Sequence, residues 1–170
     1  MRCAAWLAML LLAACAVPGG VAVNRDAPAL RLAADGLRPD GTELRIDFGR
    51  AKSGVIPAVT RLIGKPPSDD VTNAECGAGP VNTVSWDGLH LNFMNGDFLG
   101  WVADDPAFAT TSGLRVGASR AALAAAGIAG FEETTLGTEF DQGGVSGLIR
   151  SEGPDAPVTA LWAGLTCFFR

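Results

Sequence analysis

Apolar positions along this chain fall into runs of different period, and each predicts a different element. Residues 4–14, AAWLAMLLLAA, are apolar without a break. Such a run is too short to span a bilayer, which takes about 20 residues. From Ala29 to Phe48, Leu30 and Leu32, then Leu44, Ile46 and Phe48, alternate around the turn signals Asp35-Gly36 and Asp40-Gly41. That period predicts two short strands.

The next run changes to a helical period. Val55, Ile56, Val59, Leu62 and Ile63 recur on one face between Ser53 and Gly64. Ser53 is placed to cap the start, Pro57 falls in the first turn, and Gly64 suits the left-handed C-terminal position. Alternation returns from Val81 to Val102, where Leu89, Leu91 and Phe93 share a face and Asn95-Gly96 marks a hairpin. Asp104-Asp105-Pro106 ends that stretch. Gly113 to Gly127 predicts a turn and a second short helix, and Phe131 to Arg170 returns to strand-like pieces around Gly143-Gly144 and Gly153-Pro154.

These elements repeat. Thr83–Phe93 aligns with Thr159–Phe169 at an offset of 76, with five of eleven positions identical, although the helix-ending Gly64 and Gly127 are 63 apart. The expected fold is α+β, with two tandem modules of about 29–105 and 106–170, each a short helix packed on an antiparallel sheet. Phe93, Phe169, Trp86 and Trp162 are assigned to the core. Phe98 and Trp101, beyond the hairpin turn, are the candidates for an exposed recognition surface.

The start of the chain changes the picture of where this body sits. Arg2 precedes the apolar run and Leu12-Ala13-Ala14-Cys15 closes it, the pattern of a bacterial lipobox. Residues 1–14 read as a signal peptide, and Cys15 as the lipidated first residue of the mature chain. Acyl chains on Cys15 hold a protein to a membrane at about 0.8 kcal/mol per buried methylene. Ala16, in place of the aspartate associated with inner-membrane retention, favours an outer-membrane lipoprotein facing the periplasm. Residues 15–28, rich in Gly, Pro and small side chains, read as a tether, leaving 29–170 as one domain.

Composition narrows the function classes. The formal charge of −5 becomes −6 when Arg2 leaves with the signal, so no basic footprint for nucleic acid exists. Twenty-two Gly, ten Pro, no Tyr and one His favour strands and turns and leave few titratable groups for catalysis. Cys76 and Cys167, 91 residues apart, are the thiols left in the folded body. In an oxidising compartment such a pair favours a disulfide, which the chain-entropy model values at about 4.6 kcal/mol. A buried free Cys167 and a nucleophilic Cys76 are the competing readings.

Catalytic and metal chemistry find little to use. Cys76 lies beside Glu75 and two glycines rather than a cation, and the one histidine, His90, alternates to the face opposite Leu89 and Leu91. Asp69-Asp70, Asp104-Asp105 and Glu132-Glu133 read as solvated turn charges without metal-ligand spacing. No cofactor and no metal are expected. Gly77-Ala-Gly79 is followed by Pro80 and strand sequence, so no helix N-terminus follows to receive a pyrophosphate.

The helix units Gly49–Gly64 and Gly117–Gly127, followed by Trp86…Phe93-Met-Asn-Gly96 and Trp162…Phe169, resemble the tandem helix-plus-sheet modules of the beta-lactamase inhibitor protein. They also resemble the single modules of SmpA/OmlA-type lipoproteins. That resemblance implies protein binding without catalysis. The blocks ECGAGPV, LNF, TEF and LWAGLTCFFR, starting at Glu75, Leu91, Thr138 and Leu161, are similar to those of short alphaproteobacterial lipoproteins. Some of these bear the name aspartate-semialdehyde dehydrogenase, a chemistry the residues do not support. The expected function is that of a lipid-anchored interaction or envelope-scaffold protein with a protein partner in the cell envelope. A carrier of a small apolar ligand and an enzyme acting through Cys76 are the alternatives.

Overall fold

The structure, a computed structural model, describes residues 29–167. The signal peptide, Cys15, the tether and Phe169 lie outside the described residues. In chain order the strands β1 (Leu30–Ala33), β2 (Gly36–Pro39) and β3 (Ile46–Asp47) precede helix α1 (Lys52–Ile63). Then come β4 (Asp69–Asn73), β5 (Val81–Trp86), β6 (Leu89–Met94), β7 (Asp97–Ala103) and β8 (Ala109–Thr110). Helix α2 (Arg120–Ala125), β9 (Glu132–Thr134), β10 (Gly137–Gln142), β11 (Val145–Ile149) and β12 (Val158–Gly164) complete the order. The fold is mixed helix and strand, with strands dominant.

The strands form two sheets. Four make a small one, β3-β2-β1-β8, and eight make an antiparallel one in the order β4-β5-β6-β7-β12-β11-β10-β9. Turn chemistry fixes the registers. Asn95-Gly96 holds φ of 55° and 88° between β6 and β7, and Gly143-Gly144 holds 62° and 84° between β10 and β11, the left-handed pairs that tight hairpins need.

Pleat and register sort the large sheet into two faces. Val84 and Trp86 of β5, Leu89, Leu91 and Phe93 of β6, and Trp101 and Ala103 of β7 point one way. Leu161 and Ala163 of β12, Ile149 of β11 and Phe140 of β10 continue that side. All belong to one core cluster with Leu30, Leu32 and Leu37 of the small sheet, Val55 and Val59 of α1 and Leu123 of α2. The small sheet and both helices therefore contribute to the packing on the same face of the large sheet. Burying each of the Val, Leu, Ile and Phe side chains contributes about 1.5–3 kcal/mol.

Local details depart from the sequence expectations for definable reasons. Ala51, not Ser53, is the N-cap of α1, and no side chain caps it; the Lys52 N–H instead donates to the Gly96 carbonyl at 2.8 Å. Pro57 consequently lies in the second turn. Gly64 does take the left-handed C-cap, with φ 83°. Leu44 stays out of a strand and is 68 % exposed. Asp69-Asp70 and Glu132-Glu133 sit in the edge strands β4 and β9 rather than in turns. In α2, Ser119 is the N-cap, its Oγ accepting from the Ala122 N–H at 3.2 Å.

Two larger corrections concern aromatic residues. Phe98 and Trp101, expected on an exposed recognition surface, are both fully buried in the core. Phe98 packs between Phe48 and Phe93, with ring centroids 5.1 and 5.7 Å away. The bulge at Leu99 turns Phe98 to the same side as Trp101. The alignment at offset 76 also fails in space. It equates Trp86, on the core side of the second strand, with Trp162, on the opposite side of a central strand. Trp162 is buried but lies outside the core cluster.

Candidate functional site

The face of the large sheet turned away from the core carries the residues of interest. One row runs straight across seven strands: Asp69, Ser85, His90, Val102, Trp162, Ser146 and Asp141. A second row beside it is Val71, Thr83, Asn92, Gly100 and Gly164. Asp69 and Asp141 are exposed, so the first row is polar at its ends, while Val71 at the edge of the second row is an exposed apolar side chain (53 %).

Charge is segregated between the layers. The eight strands contain Asp69, Asp70, Asp97, Glu132, Glu133, Glu139 and Asp141 but neither Lys nor Arg. The described basic residues sit in the small sheet, the helices and the loops. There they form ion pairs such as Arg45 with Asp35 at 2.7 Å and Arg38 with Asp47 at 3.1 Å. Hydrogen bonding to Asp47, then the charge of that carboxylate, holds the Arg45 guanidinium above its ordinary value. At the layer boundary Lys52 Nζ reaches Asp70 at 2.9 Å and Asn82 Oδ1 at 2.7 Å. Hydrogen bonds from Asn82 and then Lys52 hold the Asp70 carboxyl below its ordinary value.

In the first row, Ser85 Oγ lies 2.9 Å from His90 Nδ1, and His90 Nε2 lies 3.3 Å from Asp104 Oδ2. Ser85 and His90 are direct cross-strand partners, placed there by the two-residue turn Asp87-Gly88. The residue types are those of a hydrolytic triad, but serine and carboxylate occupy the nitrogens opposite to the usual arrangement. The trio is a hydrogen-bonded ladder tying β5, β6 and the end of β7.

The second row is crossed by the chain itself. At the end of β12, Gly164 takes φ 72° and Leu165–Cys167 passes over the sheet. The Leu165 N–H donates to the Leu99 carbonyl at 2.8 Å, and Asn92 Nδ2 donates to the Leu165 carbonyl at 2.9 Å. Asn92, 4 % exposed, also accepts from Thr83 Oγ1 at 2.8 Å. The segment ends at Asn73, whose Nδ2 donates to Cys167 Sγ at 3.4 Å.

There the two thiols meet. Cys76 is buried, Cys167 is half-buried, and the two free thiols share a hydrogen bond. That hydrogen bond, followed by burial, raises the Cys167 pKa. The structure thus brings together the two sequence-predicted cysteines, while Phe98 and Trp101 lie on the opposite face. The crossing segment and the Ser85–His90 pair were missed in sequence. The latter had a signal, the Trp86-Asp87-Gly88-Leu89 hairpin turn. No protein-family model, curated protein or solved structure matches the chain.

Proposed function

We propose that this chain is a lipid-anchored lipoprotein of the cell envelope, tethered through acyl chains on Cys15, whose outward sheet face docks a protein partner without catalysis. The observation that carries this reading is one-sided packing: the small sheet and both helices share one face of the large sheet, and its strands bear acidic charge without a single Lys or Arg. A partner with a basic surface complements that face. The lipobox and Ala16 support an outer-membrane address facing the periplasm.

The tandem-module reading belongs to the same proposal. β4–β7 and β9–β12 are each a four-strand set following a helix, and the last strands of the two sets pair at the centre of the sheet. This supports duplication, with β5 corresponding to β10 rather than to β12, and agrees with the resemblance to the beta-lactamase inhibitor protein.

Photo-crosslinking residues placed at Ser85 and Ser146 of the anchored protein in intact envelopes, with Arg61 as the opposite-layer control, test the docking reading. Specific protein adducts from the two sheet positions, weakened by salt, are expected. Adducts from Arg61 alone, or none, overturn it. A groove of about 450 Å³ beside α2, lined in part by Leu114, Val116, Leu123 and Ile128, favours the apolar-ligand carrier as second reading. Native mass spectrometry showing only unliganded protein removes that alternative.

A further inference from the structure

The segment Leu165–Cys167 has a prepared seat. Gly100, directly beneath it, is the residue whose absent side chain makes room: a Cβ there would stand 2.2 Å from the Leu165 carbonyl oxygen and 2.5 Å from its nitrogen. Gly164 is equally constrained, since a Cβ on it would meet the Leu99 carbonyl at 2.2 Å and the Phe48 ring at 2.8 Å. Asn92, buried in mid-sheet, has its amide committed to the Leu165 carbonyl. At the far end Asn73 and Cys76 receive Cys167.

Backbone closeness, a buried polar anchor and two thiols drawn from 91 residues apart all serve the same three-residue crossing. With both thiols free the crossing is held by hydrogen bonds alone, and each of these has an alternative in water. A covalent bond at its end has none.

We propose that Cys76 and Cys167 form a thiol–disulfide latch, which fastens Leu165–Cys167 across the Thr83–Asn92–Gly100 row when oxidised and lets it lift from that row when reduced. The oxidant is a disulfide donor of the thiol–disulfide exchange class. Cys167, the more exposed thiol, loses its proton and attacks one donor sulfur, breaking the donor S–S bond and releasing one donor thiol. Cys76 then loses its proton and attacks Cys167 Sγ in the mixed disulfide, releasing the second donor thiol. Two protein S–H bonds become one S–S bond, two donor S–H bonds form, and two electrons pass from protein to donor. Because the attacking species is the thiolate, closure runs faster as pH rises. The latch rests on this geometry alone and holds whether or not the outward face takes a protein partner.

The test uses the full chain, treated with oxidised glutathione or with dithiothreitol. Peptide mapping without reduction is expected to recover the Cys76–Cys167 linkage, with amide exchange at Leu165 at least tenfold slower in the oxidised form and the inner strands unchanged. Cys167→Ser is expected to exchange like the reduced parent under both conditions. Gly100→Ala, whose Cβ occupies the seat, is expected to slow bridge formation at least tenfold while the other strands keep their protection. Persistent labelling of both thiols after oxidation overturns the proposal. So does a bridge that leaves Leu165 exchange unchanged, or Gly100→Ala closing as fast as the parent.

Discussion

The indole N–H of Trp101 donates a 2.8 Å hydrogen bond to the main-chain carbonyl of Ala33, joining the large sheet to the small one through the middle of the core. Both residues are buried, so water offers the Ala33 carbonyl no substitute donor. Trp101→Phe keeps most of the apolar bulk but removes that donor from the Ala33 carbonyl. A loss of about 1–3 kcal/mol is expected, and about 3–5 kcal/mol for Trp101→Ala. Urea titration reads this as a lower midpoint with an unchanged slope. Unchanged stability in Trp101→Phe removes the tie between the sheets from the account.

Gly147 and Phe140 face each other across β10 and β11, and a Cβ on Gly147 would stand 2.2 Å from the Phe140 ring. The glycine is there so that the ring can lie over its strand. Gly147→Ala is expected to cost about 1–3 kcal/mol through overpacking. Phe140→Leu in the same chain returns part of it, a coupling that a double-mutant cycle measures. Gly54 is the contrast. It sits in α1 with open space around its missing Cβ and no left-handed backbone angle, so Gly54→Ala is expected to stabilise by about 0.5–1 kcal/mol.

These contrasts mark what the chain makes legible. Alternation and turn residues place β5, β6 and β7 and their hairpin, because a period of two and Asn95-Gly96 act over a few neighbouring residues. Which face of β7 is covered is a long-range fact. The small sheet, formed from residues distant in sequence, closes over Trp101, and a one-residue bulge turns Phe98 with it. Periodicity before the fold carries neither. The helix α1 was legible from its apolar face and Gly64, yet its cap was misplaced by two residues, since the first N–H pairs with Gly96 across a loop. That Cys76 and Cys167 are the two thiols of the folded body was legible from counting. The crossing that joins them was not, because Gly100 and Asn92 reveal their purpose only when Leu165 lies upon them.

Acid acts on the Lys52–Asp70–Asn82 link. The native Asp70 pKa lies below its ordinary value, chiefly through the Asn82 hydrogen bond and then Lys52. A depressed native pKa means stability that is fully present above the unfolded value and lost as pH falls through the lowered native one. Asp70 is half-exposed, so the effect is small and screened. Denaturation midpoints taken between neutral pH and pH ~2.5 are expected to fall less steeply in Asp70→Asn than in the parent. Parallel profiles remove Asp70 from the acid response.

The anchoring proposal rests on Cys15. If its sulfur and amine carry acyl chains, each buried methylene contributes about 0.8 kcal/mol to membrane attachment, and several chains make release negligible. A serine at that position accepts no thioether, so Cys15→Ser is expected to leave the signal uncleaved or the chain unlipidated, while the folded body keeps its stability. Labelled fatty acid incorporated by the parent and absent from the variant, followed through fractionation and N-terminal sequencing, reads the outcome directly. A variant that is processed at the same bond and partitions with the outer membrane as the parent does removes the lipid anchor, and the docking face must then work from a freely diffusing protein.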